Sequence, residues 1–203
     1  MSSFLAVAAA YLMGSIPFGY LAGKLLRGID IRRYGSGNIG TTNIQRILGT
    51  GPAIIVLVLD VGKGLLPVLL ARYLTDSTTL QLVVGLAAVV GHNWPVFLKF
   101  RGGKGIATSI GIFIGLAPLV LLIACLLGGL VVAVTRYVSL GSIMGALSVP
   151  VSMLLLDFPP LYLWFGLILC IMVIWRHRQN IVRLLNGTEN KLGTKVKVEN
   201  EGK

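Results

Sequence analysis

The sequence predicts an all-α, polytopic membrane protein with about seven transmembrane helices, and three observations predict it. Of the 203 residues, 55% are hydrophobic and 12% charged, with a mean hydropathy of +0.86, which is too apolar for an ordinary soluble domain of this length. The apolar residues gather in runs long enough to cross about 30 Å of hydrocarbon. The 18 Lys and Arg, set against 7 Asp and Glu, fall between those runs, where cations fix orientation or meet anionic headgroups and anionic substrates. That placement argues against nucleic acid as the partner of a chain carrying +11. Cys125 and Cys170 lie within apolar runs and imply neither a disulfide nor a metal site, and no cofactor is expected.

Residues 4–26 form the first predicted span, with Gly14, Pro17 and Gly19 marking a kink or close packing. No basic segment precedes it, so it is expected to be retained rather than cleaved. It ends among Lys24, Arg27, Arg32 and Arg33, which places that end in the cytoplasm and the N-terminus outside. Residues 34–51 follow as a polar, Gly-rich loop in which Thr41 or Thr42 is expected to cap a short helix carrying Arg46. Its Gly35, Gly37 and Gly40 satisfy G-x-G-x-x-G, but without the strand of a βαβ unit a dinucleotide site is rejected. Two readings of the loop stay open, a solvated turn and a site.

The second span, residues 52–73, carries Asp60 and Lys63 three residues apart on one helical face. Ionisable groups at membrane depth face the bundle interior and pair, so these two brace the bundle, line a polar cavity, or do both. A polar turn is expected at residues 72–79 before a third span, residues 80–98, whose end carries His92 and Trp94. Trp94 fits an interfacial anchor and His92 a structural hydrogen-bonder. Residues 105–134 are too many for one helix and few for two, and Pro118 divides them. Two short helices put every large basic cluster on one face, as the positive-inside rule requires. Residues 139–156 and 161–175 complete the bundle around an external turn at residues 157–160. The whole reads as a single membrane domain, residues 1–191, followed by a polar, disordered tail, residues 192–203.

The chemistry concentrates between the third and fourth spans, where Arg101, Gly102, Gly103, Lys104 and Gly105 form a basic glycine turn. Such a turn is often only a topology anchor. An anchor needs only Lys or Arg, however, whereas glycines allow consecutive amides to turn toward one anion. The residue types suit phosphate. In the tail, His177, Asn180 and Arg183 recur every third residue and share one helical face, while a basic amphipathic stub on anionic lipid is the competing reading. The chain holds no G-x-S-x-G, H-E-x-x-H or Walker A motif and only two histidines, so any chemistry leans on a substrate that arrives activated.

Three spaced motifs carry a resemblance: GSGNIGTTN at residues 35–43; GHNWP at 91–95 with FRGGKG at 100–105; and HRQN at 177–180 with RLLNGTE at 183–189. DVGKG at residues 60–64 and SLGS at 139–142 fit as well. On these the chain resembles the bacterial acyl-phosphate-dependent glycerol-3-phosphate acyltransferases, the PlsY family. The resemblance implies transfer of a fatty acyl group from acyl phosphate to the 1-hydroxyl of glycerol 3-phosphate in the bacterial inner membrane. The products would be lysophosphatidic acid and inorganic phosphate, at the start of phospholipid synthesis. It also implies membrane lipids and an acyl-phosphate-producing enzyme as partners.

Carried onto this sequence, the resemblance implies Ser36, Arg46, Lys104, His177 and Asn180 as the catalytic set. Gly37, Asn38, Thr41, Thr42, Asn43, Arg101, Gly102, Gly103, Gly105 and Ser142 are then expected to bind substrate or phosphate, with Asp60, Lys63, His92, Arg183 and Glu189 shaping the cavity. Lys104 and the amides of Gly102, Gly103 and Gly105 are expected to hold a phosphate. The base is either His177, whose reference pKa near 6.5 suits the role, or a phosphate oxygen of the substrate. A transporter of phosphorylated metabolites or lipids is the non-enzyme rival, and it requires polar groups leading to both faces. An acyl-CoA-dependent enzyme is the second rival and needs a nucleotide site.

Overall fold

The computed structural model describes residues 3–194, so the expected tail falls, for residues 195–203, outside the described residues. Every regular element in that range is helical. The first run is broken in two, α1 (Ser3–Ser15) and α2 (Phe18–Arg27), because Pro17 has no N–H to continue the ladder. The break exposes the Ile16 carbonyl, which accepts a 2.8 Å hydrogen bond from Lys63 Nζ.

The polar loop leads into α3 (Thr41–Leu48). Its N-cap is Gly40 and neither expected threonine caps it; the Gly40 amide instead donates to Asn38 Oδ1 at 2.8 Å. A long α4 (Thr50–Leu74) follows. Arg72, expected in the next turn, lies in the last turn of α4 and donates to the Gly115 carbonyl. The turn itself is thus shorter than expected, and α5 (Thr78–Asn93) starts behind a Ser77 cap.

Where one long apolar run could have formed a single helix, the chain makes α6 (Ile106–Leu116) and α7 (Pro118–Thr135), breaking at Ala117. Pro118 suits the first turn of α7, where its missing N–H costs nothing. The remaining elements are α8 (Val138–Leu155), α9 (Pro160–Arg176) and α10 (Arg178–Leu185), the last two meeting at a 57° bend.

Five helical stretches are long and apolar enough to cross a membrane, or six when α9 and α10 count as one bent span. The seventh apolar segment is α6, whose 11 residues cover about 16 Å, half a bilayer core. Backbones approach closely where α1 crosses α5: a Cβ at Gly14 would collide with the Ala88 carbonyl, and one at Gly91 with the Tyr11 carbonyl, the small-residue contact that packs helices in lipid. One core cluster joins Val68, Ile112, Phe113, Val149, Met153 and Phe165. A second, including Ile31, Ile44, Ile47 and Val56, fastens α3 and its preceding loop onto α4. Leu25, Tyr73 and Leu155 stand 82%, 87% and 76% exposed, as expected of side chains that face lipid.

The break at Ala117 decides which loops can meet. Because α7 returns the chain, Ser139 at the start of α8 reaches the same end of the bundle as Lys104, and α10 folds across both. Leu192 extends this closure: its amide donates to the Arg136 carbonyl at 2.7 Å, and its carbonyl accepts from Arg136 Nη2 at 3.1 Å. These contacts lie one residue past the boundary expected at residue 191.

Candidate active site

Asn43 organises the first wall. Its Oδ1 accepts the Ser36 amide at 2.9 Å, and its Nδ2 donates to the carbonyls of Ile31, Tyr34 and Asn38 at 3.3, 3.1 and 2.8 Å. With both polar atoms engaged and the residue 1% exposed, Asn43 clamps the loop from a position on the cavity wall. The clamp presents Ser36, Asn38, Thr41, Thr42 and Arg46 to a cavity of about 250 Å³. Thr41 Oγ1 and Arg46 Nε are buried there without a protein partner, and a ligand in the cavity would satisfy them. Arg46 Nη2 donates to the Asn190 carbonyl, 3.3 Å away.

The glycine turn forms the second wall, and here the expected amide cradle is corrected. The Gly102 amide donates to the Asn93 carbonyl at 3.2 Å and the Gly103 amide to the His92 carbonyl at 3.0 Å, so neither points at an anion. Their glycine identity follows from contact: a Cβ at Gly102 would strike the His92 carbonyl, and one at Gly103 the His92 ring. Arg176 straps the turn from the other side, Nε donating to the Gly103 carbonyl and Nη2 to the Gly102 carbonyl, each at 2.8 Å. Gly105 differs from its neighbours; it lines the cavity at φ +82° and caps α6. Thus the N-termini of α3 and α6 both open on the cavity, and helix N-termini favour anions.

The third wall is the bend at His177. Its Nδ1 lies 2.8 Å from the Val173 carbonyl; a carbonyl can only accept, so Nδ1 carries the proton and Nε2 keeps a lone pair. Burial, then the nearby Lys104 cation, lowers the imidazole pKa to about 4, and the ring is neutral at pH 7. Asn180 bridges the walls: Oδ1 accepts from Lys104 Nζ, and Nδ2 donates to Glu189 Oε1 at 2.7 Å. Glu189 also accepts from Ser139 at 2.9 Å and, through Oε2, from Arg183 Nε at 2.7 Å. Burial acts to raise the Glu189 pKa, but the hydrogen bonds from Arg183, Asn180 and Ser139 outweigh it and hold the carboxyl below its usual range.

Beneath the cavity, Asp60 Oδ1 pairs with Lys63 Nζ at 2.8 Å, with His92 Nδ1 3.7 Å from the same oxygen. Asp60, His92, Ser142 and Glu189 line the cavity; Lys63 and Gly103 sit behind it. Gly37, Arg101, Gly102 and Arg183 line a neighbouring vestibule of about 750 Å³, which shares Ser36, Asn38, Lys104 and Asn180 with the cavity. Arg32, Arg33, Arg176 and Arg178 also line it against the lone carboxylate of Asp30, giving a cationic mouth that concentrates anions.

An apolar groove of about 250 Å³ between α6, α7, α8 and α9 shares Ile106, Ile110, Val138 and Ser142 with the cavity. Two parts of this arrangement escaped sequence reasoning. Arg176 carried no signal beyond lying next to His177, and the groove is built from apolar and small residues that read only as membrane span.

A buried cationic cavity, open on one side to a charged mouth and on the other to an apolar slot, suits a membrane enzyme acting on a phosphate-bearing substrate with an acyl tail. The comparisons name that class as an integral membrane acyltransferase. Residues 4–187 match the family model described as glycerol-3-phosphate acyltransferase. Proteins named glycerol-3-phosphate acyltransferase from Desulforamulus reducens and a Synechococcus species are 48% and 50% identical over 195 and 198 residues. Those matches cover 96% and 97% of this chain and 98% of each relative. The crystal structure of PlsY, an integral membrane glycerol 3-phosphate acyltransferase in its glycerol 3-phosphate form, superposes with a TM-score of 0.91 at 39% identity, covering 96% of this chain and 97% of that one. Its lysophosphatidic acid form gives 0.88. The chain belongs to the glycerol-3-phosphate acyltransferase family.

Proposed function

We propose that this protein transfers a fatty acyl group from acyl phosphate to the 1-hydroxyl of glycerol 3-phosphate, releasing lysophosphatidic acid and inorganic phosphate. The observation that carries this reading is the junction of three compartments at Ser142 and Lys104. The acyl tail takes the apolar groove, the two phosphates take the cavity and its mouth, and the reacting carbonyl lies where these meet. Glycerol 3-phosphate enters from water through the arginines of the mouth. The acyl phosphate enters from the bilayer, its phosphate on Ser36, Thr41, Arg46 and the N-terminus of α3.

Acyl phosphate is a mixed anhydride, so the protein needs to align the partners and stabilise charge and does not need to supply a nucleophile. The glycerol oxygen forms a bond to the acyl carbon, the bond from that carbon to the phosphate oxygen breaks, and electrons pass to the departing phosphate beside Lys104. His177 at a pKa of about 4 is a weak base, whereas a phosphate has its second pKa near 6. The hydroxyl proton accordingly goes to substrate phosphate, and His177 Nε2 accepts a hydrogen bond that aims the hydroxyl.

The membrane is the bacterial inner membrane, with the site on the cytoplasmic side, the N-terminus outside and the C-terminus inside. An enzyme that makes acyl phosphate is the partner upstream. The test mixes purified protein with glycerol 3-phosphate and either palmitoyl phosphate or palmitoyl-CoA, then measures phosphate and lysophosphatidic acid. Product from the acyl phosphate alone is expected. Product only from the thioester overturns the donor, and no product from either favours transport.

A further inference from the structure

The reading just given puts the acyl tail in the groove, and on that basis the walls of the groove bear on which tails are accepted. Along α8, Val138 and Ser142 line both the cavity and the groove, whereas Ala146 and Val149 line the groove alone. At 1.5 Å per residue, Ala146 lies about 6 Å beyond Ser142 and Val149 about 10 Å beyond it. Phe113, Val149 and Leu169, all buried, form its floor. Several of the lining side chains of α7 and α8 are small, among them Gly128, Gly129, Gly145 and Ala146.

Two of these glycines are explained by helix packing. A Cβ at Gly128 would stand 2.7 Å from the Gly141 carbonyl, closer than packed atoms come, and one at Gly145 3.0 Å from the Ala124 carbonyl, a tight contact. Gly129 is exposed and a Cβ there meets nothing within 4 Å, so neither packing nor the groove requires glycine at that position. Ala146 is half-buried on the bore wall, one turn past the residue shared with the reaction cavity.

We propose that Ala146 determines the acyl-chain specificity of the enzyme, its small size keeping the groove open for a long tail. A bulky side chain there narrows the groove about one helical turn beyond Ser142, where an acyl group of a few carbons still fits and a long one does not.

The test compares purified wild type, Ala146→Phe, Ala146→Leu and, as a control, Leu126→Phe, which is 64% exposed and outside the groove. Each is assayed with glycerol 3-phosphate and either butanoyl or palmitoyl phosphate, and the ratio of the two kcat/KM values is read. The expected result for the groove variants is butanoyl transfer within about twofold of wild type and palmitoyl transfer down by tenfold or more, in the range by which apolar pockets discriminate. Leu126→Phe keeps the wild-type ratio. Because the ratio is taken within one protein preparation, partial misfolding of one variant does not mimic the effect. A ratio unchanged in both groove variants overturns the specificity assignment while the proposed reaction stands. Wild type that acylates with neither donor overturns the reaction itself, and this inference with it.

Discussion

Lys104 is pulled away from its ordinary pKa to about 8, first by burial and then by the like charges of Arg183, Arg176 and Arg46, with Glu189 opposing them. The sign follows directly: the side chain is cationic below about pH 8 and neutral above, so the anchor for a phosphate weakens as pH rises. In the free enzyme, kcat/KM for glycerol 3-phosphate is expected to fall above about pH 8. Lys104→Arg, charged throughout, is expected to lose that limb, and a limb that persists in the arginine variant would assign it elsewhere. At this scale the sequence was informative where spacing fixes a contact. Asp60 and Lys63, three apart, do pair. It was silent where a backbone group can turn either way: nothing in the letters of the glycine turn distinguishes amides facing an anion from amides spent on the Asn93 and His92 carbonyls.

Elements hold these residues in place through carbonyls that pattern cannot show. The fork of Arg176 joins the C-terminus of α9 to the glycine turn, so Arg176→Ala removes two charge-assisted hydrogen bonds worth about 1.5–3 kcal/mol each. We expect kcat/KM for glycerol 3-phosphate to drop by at least tenfold, with Arg176→Lys recovering little because an ammonium cannot span two carbonyls; steady-state kinetics of both variants would show it. Lys63 performs a comparable task deeper in the bundle, tying α4 to the broken first span through the Ile16 carbonyl. Lys63→Ala strands the buried Asp60 carboxylate and should cost about 3–5 kcal/mol, while a double replacement of both by apolar residues should be far milder. Thermal unfolding in detergent separates the two outcomes. Pro17 announced the break in that span, but that Lys63 answers it shows only in the folded chain.

For the molecule as a whole, the decisive inference from sequence was the division of residues 105–134, since charge placement alone demanded that the chain turn back, and it does so at Ala117. The short reach of α6 was not legible, because its apolar residues continue without pause into those of α7. Cysteines placed singly at Lys99, Arg178 and Asp157, in a background lacking Cys125 and Cys170, test the arrangement. The first two should react with an impermeant maleimide from one side of the membrane and the third only from the other. Labelling of the Lys99 and Arg178 positions from opposite sides would refute the shared site. The apolar groove has one further effect on the proposed reaction. A product made there would keep its tail at the apolar end and its headgroup at the charged mouth, and would leave without ever turning over. Synthesis by such a protein would then enlarge one leaflet alone, and a cell that relies on it would need some other means of evening out the two halves of its envelope.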